Sequence, residues 1–261
     1  MSYGFRFATD VGGVAIGADA TSPVFITKLT APSPTAFAAS GAYSGDVQDW
    51  GTFSCPRGTP IVFQYNQPEG SVGSTSAENT WDTCPFHSLE YIGNGMWRLY
   101  AFRITSTWFS GTQGTSSNIF YIFGLPDTES ADTHGLRIYD SDGTTIEFDS
   151  GYVPLRIKKH LVVEPVGLGS VYGDASGGQQ TWSAMGITKP LIRRSTHMTS
   201  NTAAAQYWQM VPATVLLTDG LATRWVSVGS ALTKMARHFD PRNTKGTLHS
   251  AFFIADGADY D

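Results

Sequence analysis

The chain has 261 residues, of which 41% are hydrophobic, 13% aromatic and only 15% charged, with 28 glycines. It is too apolar for a disordered chain and too poor in charged helix formers for a helical bundle, so an all-β fold is expected. A net charge of −5 offers no basic face to nucleic acid, and no run of apolar residues is long enough to cross a membrane as a helix.

The opening MSYGFRFATD has no basic stretch leading into an apolar one, so no secretory signal is expected. Gly12-Gly13 is the first dipeptide that tolerates the positive φ angles of a tight hairpin turn. Trp50 then precedes Pro60-Ile-Val-Phe63, an apolar run behind a proline. Cys55 and Cys84 are too few for a disulfide framework or a cysteine-rich metal site, and are expected to be reduced thiols. Asn94-Gly95 separates Leu89-Glu-Tyr-Ile92 from the long strand pattern Met96–Ile104. Trp108 and Phe109 follow in a loop-like Ser/Thr/Gly stretch, and Phe120-Tyr-Ile-Phe123 closes the first half.

The polar segment Gly124–Thr133 reads as a separator. Beyond it, Leu136 and Ile138, then Ile146 and Phe148, alternate with polar residues around Asp142-Gly143, as in a half-buried hairpin. Gly167–Gly173 follows an apolar run but leads into no helix, so it reads as a flexible loop rather than a dinucleotide loop. Trp182 precedes Pro190-Leu-Ile192, and Asp219-Gly220 separates Thr214–Leu217 from the strand pattern Leu221–Val228. Ser230–Phe239 is the one expected helix, and Ala251–Ile254 closes the half.

Laid against itself, the chain repeats. Gly4 and Arg6 match Gly135 and Arg137 at a shift of 131; Asp10, Gly13, Ile16 and Asp19 match Asp140, Gly143, Ile146 and Asp149 at 130; Pro23 matches Pro154 at 131. Trp50 and Trp182, Trp97 and Trp225, and the closing runs at 120 and 251 extend the agreement. The reading is two tandem, sequence-related small β-sandwich domains, residues 1–128 and 134–261, joined by a linker at 129–133. Their hairpins are closed by Gly-Gly, Asp-Gly and Asn-Gly turns. Residues 1–130 hold 5 Lys/Arg and 10 Asp/Glu, whereas residues 131–261 hold 12 of each, so the −5 sits on the first copy. Copies that differ so much in charge are expected to face different neighbours.

Chemistry is harder to find. No nucleophile elbow, zincin or phosphate-loop motif is present, and the six histidines have no pair at metal-ligand spacing. Asp140-Ser-Asp142-Gly143 lacks the glycine and glutamate positions of a calcium loop. Nothing selects a catalytic pair among Asp140, Asp142, Glu147 and Asp149, so no enzyme, cofactor or metal is expected. Repeated tryptophans fit core packing. Trp81, Trp108 and Trp208 have no counterpart, and Trp81, Trp108 and Phe109 are the candidate contacts for a partner or glycan.

The run Gly135–Asp149, G-L-R-I-Y-D-S-D-G-T-T-I-E-F-D, resembles the opening of small tail proteins of tailed bacteriophages, and Met1–Asp19 is a looser version of it. The match spans about 25 residues of each half, and no catalytic residue belongs to it. The resemblance implies a structural virion component of the tail tip, baseplate or tail fibre. Such a protein is made in the host cytoplasm, contacts other tail proteins and forms a homo-oligomer within the particle. Alternatives are a module that binds a host receptor or surface polysaccharide, and a polysaccharide depolymerase.

Overall fold

The computed structural model describes residues 22–30, 46–65, 86–103, 119–163, 180–194, 199–203, 206–217, 220–228 and 250–261. The Gly12-Gly13 turn, Cys84, the Gly167–Gly173 loop and the expected helix at 230–239 lie outside them. Described secondary structure is almost wholly antiparallel β, and no described helix is long and apolar enough to cross a membrane.

The first half supplies β1 (Val24–Thr30), β2 (Asp46–Ser54), β3 (Ile61–Tyr65), β4 (Phe86–Gly93), β5 (Met96–Arg103) and β6 (Ile119–Gly124). A short hairpin follows, β7 (Arg137–Tyr139) with β8 (Ile146–Asp149). The second half supplies β9 (Lys159–Val163), β10 (Gln180–Ser183), β11 (Pro190–Arg194), β12 (Thr199–Ala203), β13 (Gln206–Leu217), β14 (Gly220–Val228) and β15 (Ser250–Asp256). Two small sheets run β2-β5-β4 and β10-β14-β13-β12. One large sheet runs β1-β6-β3-β11-β15-β9, so strands of both halves share it. The segment 129–133 separates the halves in sequence but not in this sheet.

The strand orders correspond. Each half places its first, last and third strands in the large sheet (β1-β6-β3 and, reversed, β9-β15-β11) and its second strand at the edge of a small sheet (β2-β5-β4 and β10-β14-β13). The large sheet is therefore palindromic about the β3–β11 contact, where Ile192 lies opposite Gln64. β12 is the one described strand of the second small sheet with no described counterpart in the first.

Alternation of side chains sorts the core into three clusters. Phe120 and Ile122 of β6 point toward the first small sheet, joining Trp50, Phe53, Cys55, Val62, Leu99 and Ala101. Phe252 and Ile254 of β15 point toward the second, joining Val163, Met185, Ile192, Leu216 and Leu221. The other face of the large sheet carries Phe63, Tyr121, Phe123, Leu191, Ala255 and Tyr260. β6 is thus apolar on both faces, which explains why IFYIFG reads as a continuous apolar run and not an alternating one.

Among the described residues no further sheet covers that shared face; the edges of the large sheet come together over it instead. The start of β1 meets the chain leading into β9: Phe25 N–H donates to Val153 O at 2.9 Å and Leu155 N–H to Pro23 O at 2.7 Å. Pro23–Phe25 opens β1 and Val153–Leu155 leads into β9, and their contact brings diagonal corners of the sheet together over the aromatic cluster. Tyr260 plugs the seam. Its ring lies 4.9 Å from Phe123 and 5.7 Å from Phe25, while its hydroxyl accepts from Arg156 N–H and donates to Pro154 O. The result is a barrel-like core shared by both halves.

Turn chemistry is mixed. Asn94 (φ 53°) and Gly95 (φ 73°) are both left-handed between β4 and β5, the combination a type I′ turn requires. A side chain at Gly95 would also strike Pro56. The Asp142-Gly143 turn differs from the expected type I′. Only Gly143 is left-handed (φ 71°), and its N–H donates to Asp140 O, so four residues turn and glycine ends the turn. Leu217 lies opposite Gly220, so the β13–β14 connection is residues 218–219, one position earlier than expected.

Candidate interaction surface

The three expected contact residues, Trp81, Trp108 and Phe109, lie outside the described residues. Trp50 is buried edge-on against Phe120 at 4.7 Å, and Trp182 makes the same kind of contact with Phe252 at 6.3 Å. Trp50 is therefore core and Trp182, partly buried, packs against the second small sheet's cluster; the two Trp–Phe pairs lie 132 positions apart. Trp97 and Trp225 are not equivalent. Leu99 falls opposite the Trp50-Gly51 bulge and Leu221 opposite Trp182, which puts Trp97 two residues before that mark and Trp225 four after it.

The hairpin β7–β8, whose sequence carries the tail-protein resemblance, is held by a dense polar network. The buried Asp149 carboxylate accepts from Ser130 N–H, Ser130 Oγ and Gly151 N–H at 2.9 Å each, and from Arg137 Nε at 3.0 Å. Arg137 also reaches Glu129 and the carbonyls of Ser130 and Asp132. Burial pushes the Asp149 pKa up, but these hydrogen bonds outweigh it and hold it at about 2. The segment 129–133, expected as a linker, is thus hydrogen-bonded to the hairpin through Glu129, Ser130 and Asp132. Asp142 accepts from Thr144 N–H, Thr145 N–H and Thr145 Oγ1, which hold its carboxyl well below the usual range.

Arg57 fixes the hairpin to the first half through the carbonyls of Pro126 and Ile146 and through Glu147 at 3.2 Å. The loop bearing Arg57 also holds the β4–β5 tip, because Cys55 N–H donates to Gly95 O and Trp97 Nε1 donates to Cys55 O. Burial, with Asp127 nearby, raises the pKa of the Cys55 thiol, so it stays protonated and packed. Exposed apolar side chains crowd these two braced hairpins: Tyr91 (57% exposed) and Ile92 (44%) on edge strand β4, Leu136 (43%) and Tyr139 (37%) on the other. Tyr91 lies against the Trp97 ring at 5.1 Å. All four carboxylates considered for catalysis, Asp140, Asp142, Glu147 and Asp149, are occupied in local turns or the Arg57 and Arg137 contacts. Among the described residues no group of three or more His, Cys, Asp or Glu side chains is placed to hold a metal ion.

A second polar feature crosses the large sheet. Lys28, Tyr121 and Phe63 stand in one cross-strand row on β1, β6 and β3, and His160, Phe253 and Arg193 in the equivalent row on β9, β15 and β11. In the first row Asp261 accepts from the Tyr121 hydroxyl at 2.8 Å and from Lys28 at 3.2 Å, while Lys189 reaches it at 2.7 Å. Burial pushes Asp261 up, but these three donors hold its pKa at about 2. Sequence inspection found neither row, because each joins three strands far apart in the chain. Comparison with protein-family models, with curated proteins and with solved structures finds no match.

Proposed function

We propose that the chain is a structural component of a bacteriophage tail, at the tail tip, baseplate or a fibre junction, that acts through protein–protein contacts. In this reading it arose by tandem duplication of one small sandwich. The observation that carries the reading is the β7–β8 hairpin. Its resemblance-bearing residues Arg137 and Asp149 spend their polar groups bracing it, and Leu136 and Tyr139 are left exposed on a fixed frame. Braced, partly apolar surface is what a permanent protein contact needs, because little ordering entropy remains to be lost on docking. The duplication is supported by the matching strand orders and by the repeated Trp–Phe pairs.

Gold-labelled antibody against the chain, applied to purified particles from cells expressing its gene cluster, should decorate the tail in electron micrographs. Particles that lack the chain by mass spectrometry would overturn the reading. The Tyr91–Trp97 aromatic pair at an exposed tip favours one second reading, a glycan-binding module. Host polysaccharide that quenches fluorescence of the wild type but not of Trp97→Phe would support it.

A further inference from the structure

Asn94-Gly95 is the single Asn-Gly pair in the sequence. Asparagine is a thermolabile residue, and a glycine after it leaves the next peptide nitrogen unobstructed by a side chain. That nitrogen can lose its proton to hydroxide and attack the carbonyl carbon of the asparagine side chain. Ammonia leaves, a cyclic imide forms, and water reopens it at either carbonyl to give aspartate or isoaspartate. Asn94 is exposed at the tip between β4 and β5, so water and hydroxide reach it.

The tip holds the other reactant still. Gly95 is buried and gripped on three sides. Its N–H donates to the Tyr91 hydroxyl at 3.2 Å, its carbonyl accepts from Cys55 N–H at 2.8 Å, and a side chain on its Cα would strike Pro56. Gly93 and Met96 pair across the turn, and both residues between them are left-handed. Imide closure swings the Gly95 nitrogen toward the Asn94 side chain and takes its proton. All of these holds must give way first.

We propose that Asn94 is a modification site, a deamidation site that the folded β4–β5 tip keeps latent, with the Tyr91 hydroxyl holding back the attacking Gly95 nitrogen. Reaction at this site is a one-way record of opening. Isoaspartate adds a main-chain carbon inside a two-residue turn, so the Gly93–Met96 pairing and the Cys55–Gly95 hydrogen bond cannot both re-form. The loop that bears Arg57 then loses one of its supports.

Peptide mapping of the full chain aged in mildly alkaline buffer reads the site through the mass gain of amide-to-acid conversion and the separation of aspartate from isoaspartate. The chain unfolded in urea should convert Asn94 at least about tenfold faster than the folded chain, because the closed tip reacts only through its opened fraction. Tyr91→Phe keeps a ring beside Trp97 and should speed conversion in the folded chain by about two- to tenfold, the effect of one neutral hydrogen bond on opening. Tyr139→Phe, which removes the exposed hydroxyl of the other hairpin, should leave the Asn94 rate unchanged. Absence of conversion in urea overturns the site, and equal rates in the folded and unfolded chain overturn the shelter. A Tyr91→Phe rate that matches wild type, or a Tyr139→Phe rate that rises equally, overturns the role of Tyr91.

Discussion

The two halves share a packing solution and differ in how they treat their surfaces. Trp50 on Phe120 and Trp182 on Phe252 are the same edge-to-face contact in two separate cores, and the strands around them follow one order. On the shared face the likeness ends. One row is met by the chain's own Asp261, and in the other no described carboxylate bonds Arg193. Packing constrains every neighbour at once, whereas a surface charge has few neighbours and is free to differ between the halves.

The largest effects should test whether the halves are one cooperative unit. Phe120→Ala and Phe252→Ala each remove a fully buried ring and should cost about 3–5 kcal/mol. Because the barrel-like core joins both halves, either change should lower a single calorimetric transition. Two transitions, with only one moved by each variant, would show that the shared sheet does not couple them.

Next comes the braced hairpin, described only in the second half. Asp149→Asn removes the charge from a carboxylate that accepts four hydrogen bonds, while Arg137 keeps Glu129, and should cost about 2 kcal/mol, read from the denaturant midpoint. Hydrogen exchange should accelerate first in residues 129–151; uniform acceleration would mean that the network supports the whole fold and not the hairpin.

Acid should then compare Asp149 with Asp261. Both pKa values stand at about 2, below the roughly 3.9 of an unfolded aspartate. Their stabilisation is complete above about pH 4 and is lost as pH falls toward 2, because the unfolded chain then binds the protons more readily. Asp149→Asn and Asp261→Asn should each flatten the midpoint-versus-pH curve in that window. An unchanged slope in either variant would remove that carboxylate from the account.

The smallest effect belongs to the β4–β5 turn. Asn94→Ala forces a less tolerant residue into a left-handed conformation and should cost about 1–2 kcal/mol, whereas Asn94→Gly should cost little. Equal losses in the two variants would point to the side chain and not the backbone.

Much of this skeleton was legible in the sequence, with instructive slips. Alternation around Leu136, Ile138, Ile146 and Phe148 marked a hairpin that is there, and of the repeated tryptophans Trp50 lies in the core while Trp182 packs partly buried against it. Matching letters set Phe120 against Ala251 at a shift of 131, yet the residues that face the small sheets are Phe120 and Phe252, at 132. In β3 and β11 the shift is 130, Val62 matching Ile192. One residue reverses a strand's faces, so identity and orientation can disagree wherever loops have changed length. The shared sheet was invisible for another reason. β3 and β11 look like any buried strands, and nothing local says whether a strand's outer edge meets solvent or a strand of the other half. Arg193, Phe253 and His160 become neighbours only through the pairing of β11, β15 and β9, strands far apart in the sequence.

The seam over the aromatic core has a consequence for how the chain is made. Lys28 and Asp261, which meet beside it, are 233 residues apart in sequence. At roughly 5–20 residues per second, a ribosome needs about 10–50 s to travel between them. Once β6 is complete at Gly124, 137 residues remain, so for about 7–27 s of that time the first half waits with Phe25, Phe63 and Phe123 uncovered by the second, and until β11 is made the edge of β3 stays open. A neighbouring nascent chain offers the same missing edge, and exchange of halves between chains would satisfy it equally well. Timing during synthesis, as much as final stability, then decides whether each chain closes on itself.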